Sequence, residues 1–181
     1  MIRSIFSLSM ITLLLHLTTE AQTQAPKMGY VNSAKILLEY PEAQDANRKL
    51  DDMGKKWQFE IERMSKELQA KYEDYQKKES LLNEQEKRAQ REELIALEQR
   101  IYQYRQEKFG ADGDLAIATD SLLRPIKQKV IKVIEQVAKE QKLQFVFDRN
   151  DQILVLLYGE AKYDYTDLVI YRLKRGTSSD K

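Results

Sequence analysis

The 181-residue chain has no cysteine, one histidine, three prolines and six glycines. Without cysteine there is no disulfide scaffold, no thiolate metal site, no cysteine nucleophile and no lipid-modified N-terminal cysteine. The one histidine, His16, falls in a segment expected to be removed. The mature chain then lacks both His and Cys, which excludes the familiar histidine-based dyads and triads and most zinc sites. Neither sign of charge is in excess: 30 Lys plus Arg stand against 29 Asp plus Glu, a net charge of +1. That balance gives no footing for nucleic acid. Beyond the N-terminus, no run reaches the roughly eighteen apolar residues of a membrane span.

What is present begins with an address. Arg3 supplies a positive start, Ile5 to Leu17 is mostly apolar, and Thr19 and Ala21 are small residues at the spacing read by a signal peptidase. We therefore expect residues 1–21 to be a cleavable signal peptide, with a second possible cleavage after Ala25; the alternative is an anchor that stays uncut. Export, together with the lack of cysteine, suggests a bacterial periplasm.

From Pro41 to about Lys142 the composition turns to Glu, Lys, Gln, Leu and Ala, all strong helix formers. Proline followed by Glu42 suits a helix N-terminus. Apolar residues recur at Ala46, Leu50, Met53, Trp57, Ile61, Met64, Leu68, Tyr72, Tyr75 and Leu82. From Leu50 the steps average about 3.6 residues, the period of a nearly straight helix. The stripe is thin, so the helix needs a partner. The partner is the returning stretch with Leu94, Leu97, Ile101, Tyr104, Lys108, Leu115, Ala118 and Leu122. Ser80 to Glu84 is the expected break, with Asn83 as cap and Glu86 three places on. Arms of about 39 and 40 residues make an antiparallel hairpin on the order of 60 Å long. Gly110 and Gly113 interrupt the returning arm as either a hinge or a bulge, and Pro125 should kink it, so these three residues are the hinge candidates.

The two ends make a small body. Lys27 to Asn32 is a strand candidate carrying Met28, Tyr30 and Val31, followed by Ser33 as cap and a short helix with Ile36, Leu37 and Leu38. Leu143 to Asp148, with Phe145 and Phe147, reads as a second strand, and Ile153 to Tyr158, with Val155, as a third that forms a hairpin with it. Tyr165-Thr166-Asp167 caps a last helix, and residues 176–181 look like a frayed tail. The chain thus divides into a discontinuous β-rich body (22–41 and 124–175) and a helical arm (42–123), an α+β fold that is mainly α. The body is small, and its apolar third strand would expose sticky edges. A homo-oligomer in which several copies complete one sheet or barrel answers this; a monomer covered by its end helices is the alternative.

Lys27-Met28-Gly29-Tyr30-Val31-Asn32-Ser33, followed by Ile36-Leu37 and Tyr40-Pro41-Glu42-Ala43, resembles the opening of the Skp/OmpH family of periplasmic chaperones. Leu123 to Lys129, with Ile134, Val137 to Glu140 and Phe145 to Asp148, resembles its second block, and Asp164 to Val169 with Leu173 its ending. The resemblance spans the whole mature chain in order. It implies a jellyfish-like homotrimer, in which three protomers build a small β-barrel and three coiled-coil hairpins hang around a central cavity. The implied activity is that of an ATP-independent holdase, which binds unfolded outer-membrane β-barrel proteins without nucleotide, metal or other cofactor. Such a holdase needs adaptable side chains. Met53, Met64, Tyr72, Tyr75, Tyr102 and Tyr104 are of that kind, although stripe positions also serve to zip the arms together. Tyr102, which is off the stripe, and the tip residues Leu81 and Leu82 are the stronger client contacts, with Tyr72 and Tyr75 beside them. One departure from the family bears on lipids. Residues Glu42 to Leu123 carry 15 Lys plus Arg against 19 Asp plus Glu, a net of −4, whereas Arg124 to Lys181 carry +4. An acidic arm argues against lipopolysaccharide binding. The competing readings are a structural coiled-coil adaptor in the envelope that docks one folded partner, an enzyme, and a DNA-binding protein. The carboxylate pairs Asp148/Asp151 and Asp164/Asp167 have no basic partner at useful spacing, so turn and cap duty explains them.

Overall fold

A computed structural model describes residues 25–150 and 155–179 of the chain. The expected signal segment and Ile153 lie outside them. The elements, in chain order, are β1 (Met28–Val31), α1 (Ser33–Glu39), α2 (Pro41–Lys78), a 3-10 turn (Glu79–Leu81), α3 (Glu84–Phe109), α4 (Asp114–Gln141), β2 (Phe145–Asp148), a second 3-10 turn (Ala161–Tyr163) and α5 (Thr166–Ser179).

The long helix α2 starts where proline tolerates the missing donor, carries Glu42 in its first turn and ends on Lys77 and Lys78, which complement the helix dipole. Leu82 and Asn83 then leave the helical conformation. The Asn83 side chain accepts from the amides of Gln85 and Glu86, and Glu86 returns a carboxylate to the Asn83 amide at 2.8 Å, a complete capping box that starts α3. The hairpin turn expected at Ser80 to Glu84 is therefore where the chain reverses. The returning arm is two helices, α3 and α4, separated at Gly110 to Gly113. Pro125 sits inside α4, which continues past it to Gln141. Lys142 closes α4 in the left-handed conformation (φ 56°), and the Leu143 amide reaches back to the Ala138 carbonyl at 2.8 Å.

The hairpin returns the chain beside its start. There β1 and β2 pair in parallel, Met28 with Phe145 through Val31 with Asp148. Tyr165 donates its amide to the Tyr30 carbonyl at 2.9 Å, and Thr166 Oγ1 accepts from the Asn32 amide at 2.9 Å, which docks the start of α5. The core forms where α1, α4, α5 and the first turns of α2 meet. It contains Val31, Ile36, Tyr40, Ala43, Val130, Val137, Val169, Ile170 and Leu173, all buried. Glycine is required at Gly29, because a Cβ there would lie 2.6 Å from the Tyr165 ring.

Three expectations need correcting. Val155 to Tyr158 form no strand, and the sheet of the described residues has two strands, not three. A continuous apolar strand needs cover on both faces, and Val155, Leu157 and Tyr158 instead stand exposed. The cap of α1 is Asn32, whose side chain accepts from the Lys35 amide at 2.8 Å. Ser33 is the first helical residue and instead donates its amide and hydroxyl to Asp148 at 3.0 and 2.6 Å. The expected tail is helical through Ser179, as a continuation of α5.

Candidate functional site

The arm is held by a narrow seam. Ile61, Met64 and Ile101 are its buried residues, packed with Leu68, Leu97 and Tyr104, as their three- and four-residue steps predict. Toward the tip, a polar clasp replaces apolar packing. The Tyr75 hydroxyl donates to Glu79 at 2.8 Å and accepts from Arg91 Nε at 2.7 Å, and Arg91 also reaches Glu79 at 3.1 Å. The hydrogen bond from Tyr75, followed by that from Arg91, holds the Glu79 carboxyl below its ordinary pKa. Lys71 bridges to Glu93 at 2.5 Å across the same stretch. Toward the base, Lys129 of α4 pairs with Glu42 of α2 at 2.7 Å over the Tyr40 ring.

This frame leaves apolar side chains bare on a charged rod. Leu81 at the tip is 84% exposed and Tyr102 is 62% exposed, as a contact surface requires. Tyr72 is half exposed, and Leu82 is half-buried at the turn. Tyr75 departs from its assignment: it is buried in the clasp and holds the arms together. Met53 and Tyr104 are half-buried and Met64 is buried. The periodicity did not flag Phe59, Ile95 and Ile117, which are 68%, 53% and 62% exposed. A signal was available: each falls off the seam spacing, Phe59 two places after Trp57 and Ile95 directly after Leu94. Ile95, Tyr102 and Phe109 are seven apart, so they share one side of α3 to within about 20° per step. Beside them, Leu68, Tyr72, Leu94 and Ile95 line an open groove of about 600 Å³. A second groove of about 560 Å³, lined by Phe109, Leu115, Leu123 and Ile131 with Arg124 and Lys127 beside them, follows α4 toward the body.

In the body, Met28, Phe145 and Val155 are exposed, and Phe147 is at the margin. Tyr30 and Val31, by contrast, are buried within the chain's own fold. Phe145 and Phe147 alternate with Val146, which faces the core, so one face of the sheet is bare. Met28 and Phe147, with Leu156, Tyr158 and Tyr163, line an open apolar pocket of about 660 Å³.

Of the paired carboxylates, Asp151 lies outside the described residues and the other three have local duties. Asp148 binds Ser33, Asp164 accepts from the Thr166 amide at 2.8 Å, and Asp167 pairs with Lys35 at 2.7 Å. Burial would raise the Asp148 carboxyl, but hydrogen bonds from Ser33 and Asn150 outweigh it and hold it below the ordinary value. Among the described residues, no group of His, Cys, Asp or Glu could hold a metal ion. Among the same residues, no helix is long and apolar enough to cross a membrane.

Comparison with known proteins fits this architecture. Residues 27–173 match the family described as "Outer membrane protein (OmpH-like)". No curated protein matches the sequence. A solved structure of a candidate outer membrane chaperone (OmpH-like) from Caulobacter crescentus CB15 superposes with a TM-score of 0.71. It is 16% identical, and the likeness covers 84% of this chain and 86% of that one.

Proposed function

The chain belongs to the OmpH-like family of outer membrane proteins, and on that premise we propose that it is an ATP-independent holdase chaperone. It would work in the periplasm, reached through the N-terminal signal, on unfolded outer-membrane β-barrel proteins. The observation that carries this reading is the distribution of bare apolar groups. Leu81, Tyr72, Ile95, Tyr102 and Phe59 are spread along a charged rod, and the groove that Tyr72 and Ile95 line is open to solvent. A surface of that kind makes many weak contacts with any exposed apolar chain, and confinement between several arms turns weak contacts into retention. We place the arms around a shared cavity in a homotrimer. The bare face of Phe145 and Phe147, with Met28 and the unpaired run at Val155, supports assembly of the bodies into one barrel. The arm's net charge of −4 does not support capture of lipopolysaccharide.

The test is suppression of aggregation when an outer-membrane barrel is diluted from urea, followed by light scattering. Changing Leu81, Leu82 and Tyr102 to serine should weaken suppression while leaving native mass and helicity intact. Unchanged suppression would remove these residues from the client surface. The second reading, an envelope adaptor, is favoured by Leu81 at the tip, the most exposed large apolar group among the described residues. It predicts tight binding to one folded partner and none to unfolded barrels, so the same assay separates the two.

A further inference from the structure

We propose that the arm carries a latched elbow, in which a distal rod and a basal rod meet at the level of Gly54 and Phe109–Asp114 and Lys108 holds them in line. The proposal concerns the mechanics of the arm and stands whether or not unfolded chains bind to it.

The first observation is that the weak points of the two arms coincide. On the returning side, α3 stops at Phe109 and α4 starts at Asp114. The turn between them is closed by the Gly110 amide on the Gln106 carbonyl at 2.8 Å and the Gly113 amide on the Gly110 carbonyl at 3.0 Å. No continuous helical ladder crosses it. On the outgoing side α2 is unbroken, and Trp57 meets Phe109 edge to face with ring centres 6.1 Å apart. Gly54 lies one turn before Trp57 and therefore level with the break. A Cβ at Gly54 would meet nothing within 4 Å, so packing does not require the glycine. A helix-interior glycine with no steric duty leaves the backbone looser at that point.

The turn itself is tight. A Cβ at Gly110 would press on the Gln106 carbonyl oxygen, and one at Gly113 would lie 2.7 Å from the Glu107 carbonyl. Alanine at these two positions would therefore break the turn. Compliance is left to Gly54 and to whatever spans the gap.

Lys108 spans it. Its side chain is 16% exposed, against 40% and 59% for the cross-arm pair Lys71–Glu93. The ammonium donates to Asp114, in the first turn of α4, at 2.5 Å and to Glu107 of α3 at 2.6 Å. It also lies 5.7 Å from the Trp57 ring centre of α2 and 5.5 Å from that of Tyr104. One cation thus touches all three helices at the break in the returning side of the arm. The hydrogen bond to Asp114, then that to Glu107, raises the pKa of Lys108, so the latch stays charged.

The chain has no cysteine, so two spin labels can be placed at will. Glu92→Cys on α3 and Lys132→Cys on α4 lie on either side of the elbow, and both parent residues are exposed. Pulsed electron–electron distances are read on the full mature chain, with labelled protein diluted into unlabelled. Lys108→Met should widen the distance distribution about two-fold, because the two rods then swing independently. Adding Gly54→Ala should narrow it again. Lys71→Met, which breaks a pair within the distal rod, should leave the width unchanged. Should Lys108→Met lower helicity, Asp114→Asn decides, since it unlatches α4 while Lys108 keeps its seat on the rings. Equal widths in wild type and in the folded latch variant overturn the proposal, as does equal widening by Lys71→Met.

Discussion

In the body, Ile36, Tyr40 and Val169 are completely buried and Leu173 is 1% exposed, and they belong to one cluster of eleven buried residues drawn from four helices and a strand. In the arm, the central seam has three buried residues, Tyr75 is buried in the clasp toward the tip, and most of the remaining surface of each helix is exposed or half-buried. The surface of the arm is laced instead with ion pairs such as Arg63 with Glu60 and Glu67. Exposed pairs of this kind contribute little, about 0–1 kcal/mol each. The body is thus organised by apolar burial from many directions. The arm is organised by one line of contact and a few polar clasps, at Tyr75–Arg91, Lys108–Asp114 and Lys129–Glu42. A region built to stay put and a region built to give have been joined in one chain; the first bares apolar groups around a buried core, the second along a thin seam.

The comparison is broken most sharply by deleting buried atoms on each side of it. Leu173→Ala, in the body, should cost about 3–4 kcal/mol, while Ile61→Ala, in the seam, should cost about 2 kcal/mol, because a two-helix seam can close over the gap and a multi-sided core cannot. Urea unfolding followed by circular dichroism measures both, and an equal or larger loss for Ile61→Ala would erase the distinction. A smaller effect concerns acid. Asp148 joins the end of β2 to the start of α1, and its carboxyl is held below the ordinary value because hydrogen bonds outweigh burial. Its contribution is therefore present above the carboxylate pKa of the unfolded chain and is lost as pH falls through the lower folded value. Asp148→Asn should cost about 1–2 kcal/mol at neutral pH. The difference between variant and wild type should shrink in strong acid, as read from unfolding midpoints across a pH series. The smallest expected effect has the opposite sign. Gly54→Ala should stabilise the arm by about 0.5–1 kcal/mol, since the added methyl meets nothing and the helix interior favours alanine. A loss of stability there would mean that α2 needs the glycine.

The arm was legible because its order is local. Ile61, Met64, Leu68, Leu97 and Ile101 follow the helical repeat, and Asn83 with Glu86 announces the reversal in four residues. The body was legible only in part. The pairing of β1 with β2 joins residues about as far apart as Lys27 and Gln144, separated by 117 positions, and no local pattern encodes a parallel register across that distance. The run at Val155 to Tyr158 has strand composition, yet Val155, Leu157 and Tyr158 stand exposed, so composition alone misled. Among the candidate contacts, Tyr75 has the periodicity of a seam residue and the chemistry of a surface one, and its bond with Arg91, sixteen residues away, decided for the seam. Gly54 gave no signal at all, because its meaning depends on what lies opposite it on the returning arm.

The central claim is that bare apolar groups on paired rods, gathered around a shared hollow, hold unfolded barrels in solution. Native mass of the mature protein, alone and mixed with a urea-unfolded outer-membrane barrel, tests it most directly. The account predicts a three-chain species that gains one client and keeps it soluble. A single-chain species whose mass does not change while the barrel precipitates would contradict it.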